Sequence, residues 1–367
     1  AFHPDKANGG RVFNPDSVVR HNMVFIEGGK TLLGFEEFEM THTKTRNYTA
    51  TVESFYMDET EIANIHWCEY LFFLRRESEQ EYIKALPDTM VWMRQFSFND
   101  FYVENYLRHP AFRFYPVVGV SWLQANDYCR WRSDPKQHGG PQRVEKEGSG
   151  KKIQLSDTLW VYEGYKTKAM KKRDPNRIDY RLPTEAEWIY AAQTFSYMEP
   201  YIDEKDYYKR IYPWDGSGVR NPHAKKTGNF FANFKRGRGD YDGIAGNRND
   251  GAVYTEYIYA YPPNDVGLYN IAGNVNEWVQ DLYEYVPKDL ETFEFNKNID
   301  KAEKDPLDRE VNSFEEYLDE ERYRVYKGGS WNDNAYWLSP FTRRYLAEDS
   351  SSSTIGFRCA MSAFPDK

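Results

Sequence analysis

The chain has 367 residues, enough for one large or two ordinary domains and for a substantial core. Its formal net charge of -9 argues against a general phosphate-backbone binder, whose affinity rests on clustered Lys and Arg, and no zinc-finger spacing contradicts that. Aromatic residues make up 17% of the chain, including 30 Tyr and 10 Trp, so it reads as globular and built from large flat side chains that also hydrogen-bond.

From the N-terminus, residues 23–34 read as two short strands around a Gly28-Gly29 turn, and residues 52–57 as another strand. Asn64 is expected to cap a helix that places Trp67, Cys68, Leu71 and Phe72 on one face. Residues 116–120, Pro-Val-Val-Gly-Val, read as a buried strand running into Ser121-Trp-Leu-Gln124, a capping box whose hydroxyl and amide satisfy free N–H groups at a helix start. Thr184-Glu-Ala-Glu187 is a second capping box, and beyond it the chain is expected to be loop-rich, with short aromatic strands.

Two stretches interrupt this pattern. Residues 132–179 carry 12 Lys/Arg against 7 Asp/Glu, and residues 282–322 carry 14 Asp/Glu against 6 Lys/Arg. Both read as solvated insertions, or as docking surfaces of opposite sign. No apolar run approaches the ~18–20 residues that cross a bilayer, and Ala1 opens no charged-then-apolar leader. The chain is expected to be soluble as it stands, with a removed signal peptide or an upstream lipid-carrying Cys left open. Three cysteines, Cys68, Cys129 and Cys359, are too few for a disulfide framework. His66 and Cys68 point to roughly opposite sides of a helix and cannot share a metal, and His109 before Pro110 reads as structural.

Four segments taken together are specific: Pro116-Val-Val-Gly-Val-Ser-Trp122; Tyr180-Arg-Leu-Pro-Thr-Glu-Ala-Glu-Trp188; Gly267-Leu-Tyr-Asn-Ile-Ala-Gly-Asn-Val-Asn-Glu-Trp278; and Lys327-Gly-Gly-Ser-Trp331 with Ile355-Gly-Phe-Arg-Cys359. In this order they resemble the formylglycine-generating-enzyme, or sulfatase-modifying factor, family. The resemblance implies an α+β fold of the irregular C-type-lectin-like kind, low in secondary structure. It also implies one domain over residues 21–363, carrying the two insertions and preceded by an extension over 1–20. A narrower similarity, in Ser54-Phe-Tyr-Met-Asp-Glu-Thr60, Ala85-Leu-Pro-Asp-Thr89, Tyr106-Leu-Arg-His-Pro-Ala111 and Thr342-Arg-Arg344, is to gliding-motility lipoproteins of the J or K type from Bacteroidota. That group implies a role in type IX secretion and gliding at the periplasmic face of the outer membrane. The implied partners are other secretion and gliding proteins, with a membrane link through an N-terminal lipid anchor that this chain does not contain.

The segment 267–278 offers an Asn side chain, turn carbonyls and a Glu, hard oxygen donors suited to calcium. Carried over from the family, structural Ca2+ ligands fall on the Asn270 and Glu277 side chains and the Gly273 and Val275 carbonyls. A second set falls on Asn233, Phe234, Asp250 and Ala252, with Asp240 or Asp242 able to replace a member. The resemblance also implies a Cys129–Cys359 disulfide, against the alternative of buried free thiols. The active enzymes bind Cu(I) through two cysteines after the Gly-Gly-Ser motif, and the matching positions here hold Asp333 and Leu338. A hard carboxylate and an alkyl group cannot make that soft thiolate site. The expected class is therefore a pseudoenzyme scaffold, set against a copper-dependent oxidase or a carbohydrate- or peptide-binding module. Asp16-Ser17-Val18, Asp88-Thr89-Met90 and Asp157-Thr158-Leu159 fit the Asp-Ser/Thr-apolar pattern of Bacteroidota O-glycosylation.

Overall fold

The protein was analysed as a computed structural model, which describes residues 23–34, 47–95, 98–133, 179–193, 210–222, 228–237, 252–283 and 322–363. Nearly all of both expected insertions, Asp250, Asp240, Asp242 and two of the glycosylation triplets lie outside the described residues.

Ten short strands and six α-helices are seen among the described residues, in mixed order. Strands β1 (Met23–Ile26), β4 (Phe55–Asp58), β10 (Ala360–Ser362) and β5 (Tyr180–Arg181) form one sheet in the order β1-β4-β10-β5. A second sheet runs β8 (Arg344–Ala347), β7 (Tyr323–Lys327), β6 (Asn276–Leu282) and β9 (Ile355–Gly356), while β2 (Gly29–Gly34) and β3 (Asn47–Val52) pair with each other. This is the irregular α+β architecture expected.

The single strand expected over 52–57 is instead two strands in different sheets, broken at Glu53-Ser54. The break occurs where the Gly28 N–H donates to Ser54 Oγ at 2.9 Å. A Cβ on Gly28 would stand 2.6 Å from the Val52 carbonyl oxygen, so only glycine permits this approach. Residues 116–120 are buried but are not a strand; Pro116 makes an isolated bridge to Ala63. Their polar groups go to loops instead: Val117 N–H donates to Ile62 O at 2.8 Å and Gly119 N–H to Ser352 O at 3.0 Å.

Helix α1 (Asn64–Glu77) begins after Ala63, and Asn64 does not cap it. Its amide is fully buried and donates to the Tyr106 and Phe112 carbonyls at 3.1 and 2.9 Å, cross-linking two loops. His66 Nδ1 accepts the Ala63 N–H at 3.2 Å in the cap's place. The buried face is Trp67, Tyr70, Leu71 and Leu74; Phe72 is 58% exposed and Cys68 half-buried, which corrects the expected face by one position. Both expected capping boxes are present. Ser121 and Gln124 exchange bonds at the start of α5 (Trp122–Arg132), and Thr184 and Glu187 do so at the start of α6 (Glu185–Gln193).

Tryptophans close the core and its loops at once. Trp67 stacks on Tyr128 at 5.4 Å and donates its indole N–H to Ala85 O, while Trp122 and Trp278 donate theirs to Val279 O and Val120 O. Each buries a large apolar face and satisfies one loop carbonyl, which suits a chain with little regular structure.

Candidate functional site

Segment 267–278 holds Asn270 and Asn274 in left-handed backbone, φ 48° and 64°, a region that Asn tolerates better than most residues. That turns both amides toward Glu61, which is fully buried after β4. Asn270 Nδ2 donates to Glu61 Oε2 at 3.0 Å and Asn274 Nδ2 to Glu61 Oε1 at 2.9 Å. Beside them Glu277, 1% exposed, receives Arg358 Nη2 at 2.6 Å and Nε at 2.8 Å, and the Trp188 indole N–H at 2.8 Å. Arg358 also donates to the carbonyls of Asp58 and Tyr269 at 3.1 and 2.8 Å.

Two buried carboxylates thus face one guanidinium. Burial pushes the Glu61 carboxyl up to about 8; Arg358 opposes the rise and Glu277 adds to it. Asn270 Oδ1 is buried without a donor. Of the first expected calcium set, Asn270 thus offers a buried oxygen that a hard cation would satisfy. Glu277 itself is already engaged on both oxygens. Among the described residues no three His, Cys, Asp or Glu side chains converge as a metal site, so an ion here would rely on amide and backbone oxygens.

The second expected set looks different. Asn233 Nδ2 donates to Tyr254 O at 2.6 Å and to Asn274 Oδ1 at 3.3 Å. The carbonyls of Phe234 and Ala252 both accept from Arg236. A guanidinium already stands between them.

The cleft expected to hold copper follows β7. Gly328 and Gly329 have φ 98° and 71°, a conformation that strains side chains, and they turn the chain so that Ser330 and Asp333 point at β6 and β8. Arg344 grips Asp333 with Nη1 on Oδ1 and Nη2 on Oδ2, both at 2.7 Å. Ser330 Oγ donates to Oδ2 at 2.5 Å and Asn276 Nδ2 at 3.1 Å. Burial alone would raise the Asp333 carboxyl, yet the Arg344 bonds and charge, helped by Ser330 and Asn276, hold it below the usual carboxylate range. Leu338 is fully buried and packs in a cluster with Phe230, Ala232, Phe234 and Ala272. The remaining recess is lined by Asn276, Tyr326, Gly328, Trp337, Arg343 and Arg344. Below it Glu185 pairs with Lys327 and Arg343, each at 3.1 Å.

The family model described as sulfatase-modifying factor enzyme 1-like domain matches residues 11–363. The chain belongs to this family. Among curated relatives of this family, the formylglycine-generating enzyme of Mus musculus is 31% identical over 188 residues, 50% of this chain and 40% of that protein. The inactive C-alpha-formylglycine-generating enzyme 2 of Bos taurus is 26% identical over 255 residues, 68% of this chain and 51% of that protein. This chain therefore spans about two fifths to one half of the length of those relatives. A solved structure, PvdO from Pseudomonas aeruginosa, has 16% identity and a TM-score of 0.47, over 93% of this chain and 94% of that one. The sulfatase-modifying factor family thus includes both a named enzyme and a named inactive member.

Seen within that family, sequence reading found the segments but missed several of the residues that make the buried centre. Arg358 lies in a quoted motif with no role assigned and Glu61 directly follows one, and their partners are 81 and 209 residues away. Asn276 was passed over, although strand alternation places this residue, next to Glu277 in β6, on the opposite face, toward Asp333. Cys129 and Cys359 face each other as buried thiols, Sγ to Sγ 3.4 Å. Cys68 donates to Leu107 O, and His109 caps Ala111, so neither gathers other ligands.

Proposed function

We propose that this member of the family is a non-catalytic scaffold lipoprotein of the type IX secretion and gliding machinery, at the periplasmic side of the outer membrane. The observation that carries the loss of chemistry is the state of the two copper positions. Asp333 is a carboxylate held by Arg344, Ser330 and Asn276, and Leu338 is sealed in an apolar cluster. Neither offers the thiolate that Cu(I) favours. The J- or K-type motifs support the placement in secretion and gliding, with proteins of that machinery as partners and structural calcium as a brace at Asn270 and Glu277.

Purified, copper-loaded protein should form no aldehyde on a Cys-x-Pro-x-Arg peptide; aldehyde formation would overturn the reading. Affinity isolation from the native envelope should recover the chain in a stoichiometric complex with outer-membrane or periplasmic proteins. Recovery of the chain alone would remove the scaffold role.

A further inference from the structure

Four donors converge on the Asp333 carboxylate: Arg344 Nη1 and Nη2, each at 2.7 Å, Ser330 Oγ at 2.5 Å and Asn276 Nδ2 at 3.1 Å. Each of these three side chains also has an anchor that does not involve the carboxylate. Arg344 Nη2 donates to Asn276 Oδ1 at 2.6 Å, and the guanidinium carbon lies 4.3 Å from the Trp337 ring centroid and 5.0 Å from that of Tyr326. Asn276 Nδ2 also donates to Thr354 O at 3.0 Å, and Ser330 Oγ accepts the Asn332 N–H at 3.3 Å. The backbone at Asp333 is held as well: its N–H donates to Ser330 O at 3.0 Å, and its carbonyl accepts the Lys235 N–H at 2.7 Å.

Donors anchored in this way keep their places whether or not a carboxylate lies between them. A guanidinium presents a fixed fork that matches the two oxygens of a carboxylate, whatever molecule carries it. The Asp333 and Arg344 side chains keep 15% and 21% of their surface exposed, so a small ion from solvent can reach the pair. We infer that Arg344, Asn276 and Ser330 form a preformed carboxylate-binding site, which this chain keeps filled with its own Asp333 and so closes to outside carboxylates. This self-occupancy deepens the reading of Asp333 as a locked carboxylate at a copper position of the active enzymes; it is independent of the secretion role and of calcium.

Asp333→Ala removes the carboxylate and leaves Cβ, so formate replaces the missing atoms; in Asp333→Gly the missing atoms match acetate. In sodium chloride, Asp333→Ala should melt more than about 3 °C below the wild type, because Arg344 loses its carboxylate partner. Sodium formate at equal ionic strength should restore at least half of that loss by mass action and do so better than acetate, whereas Asp333→Gly should prefer acetate. The wild type, already filled, should melt alike in formate and chloride, and adding Arg344→Met to Asp333→Ala should abolish the formate effect. The proposed site is refuted by a variant that melts with the wild type in chloride, by formate that acts no better than chloride, or by a formate effect that outlives Arg344. Should Asp333→Ala not fold in chloride, soluble yield on refolding in formate against chloride gives the same reading, and equal yields count against the site. The aldehyde assay stands apart from every one of these outcomes, so the carboxylate site and the loss of catalysis fail separately.

Discussion

Arg358 is the side chain whose removal should cost most. It is fully buried, neutralises Glu277 through two bonds at 2.6 and 2.8 Å, and satisfies the Asp58, Glu59 and Tyr269 carbonyls at 3.1, 3.3 and 2.8 Å. Replacing it by Met fills similar volume but leaves Glu277 and Glu61 buried together with no cation. Breaking a buried ion pair on one side costs about 3–5 kcal/mol, and each carbonyl left without a donor adds about 1 kcal/mol or more. Some carbonyls will find water, so about 5 kcal/mol is a reasonable expectation, comparable to the whole stability of a marginal domain. Equilibrium urea denaturation of Arg358→Met, in buffers with calcium and with chelator, should show this loss. Adding Glu277→Gln removes the stranded charge and should restore about 2 kcal/mol, the signature of direct coupling. An Arg358→Met protein within about 1 kcal/mol of the wild type would refute the reasoning, as would a double mutant whose losses simply add.

Chelation should lower the melting temperature, and Asn270→Ala should reproduce most of that loss, since an ion bound only by the folded state stabilises it by mass action; unchanged melting with no calcium in elemental analysis would end this expectation. Thiol counting on denatured, unreduced protein should find one free thiol, Cys68, and finding three would refute a Cys129–Cys359 bridge. Because the Asp333 carboxyl is held below its usual range, the folded state binds fewer protons there than the unfolded chain. Its contribution is therefore complete above about pH 4 and lost as pH falls through the lower folded value, so Asp333→Asn should flatten the acid limb of the stability curve below that point. An acid limb identical in wild type and variant would show that the Arg344 grip contributes nothing.

Local chemistry was the legible part of the fold. Capping boxes at Ser121 and Thr184 involve partners three residues away, so spacing alone reveals them. The sheets were less legible, because residues 116–120 have a strand's composition yet send their hydrogen bonds to three separate loops. Helix α1 shows the same limit: apolar Phe72 is exposed while polar Asn64 is buried, since Asn64 serves carbonyls that no local pattern announces. At the site, the change of Asp333 and Leu338 was readable as residue type. Its consequence, a carboxylate locked by Arg344 and Asn276, required knowing which strands are neighbours.

Residues 355–362 enter both four-stranded sheets: β9 runs parallel to β6, and β10 lies between β4 and β5. Arg358 sits between those two strands, in contact with Asp58 at the end of β4, with Glu59 just after it, and with Glu277 on β6. Until this short stretch arrives, β4 and β5 cannot be joined in one sheet and β6 lacks its edge partner, so each keeps unpaired N–H and C=O groups. During folding the preceding three hundred-odd residues must therefore wait with open sheet edges, which makes the chain slow to finish and exposed to mispairing. A protein built this way commits to its fold at the last moment, and a holding factor able to cover strand edges would act on it before that commitment and not after.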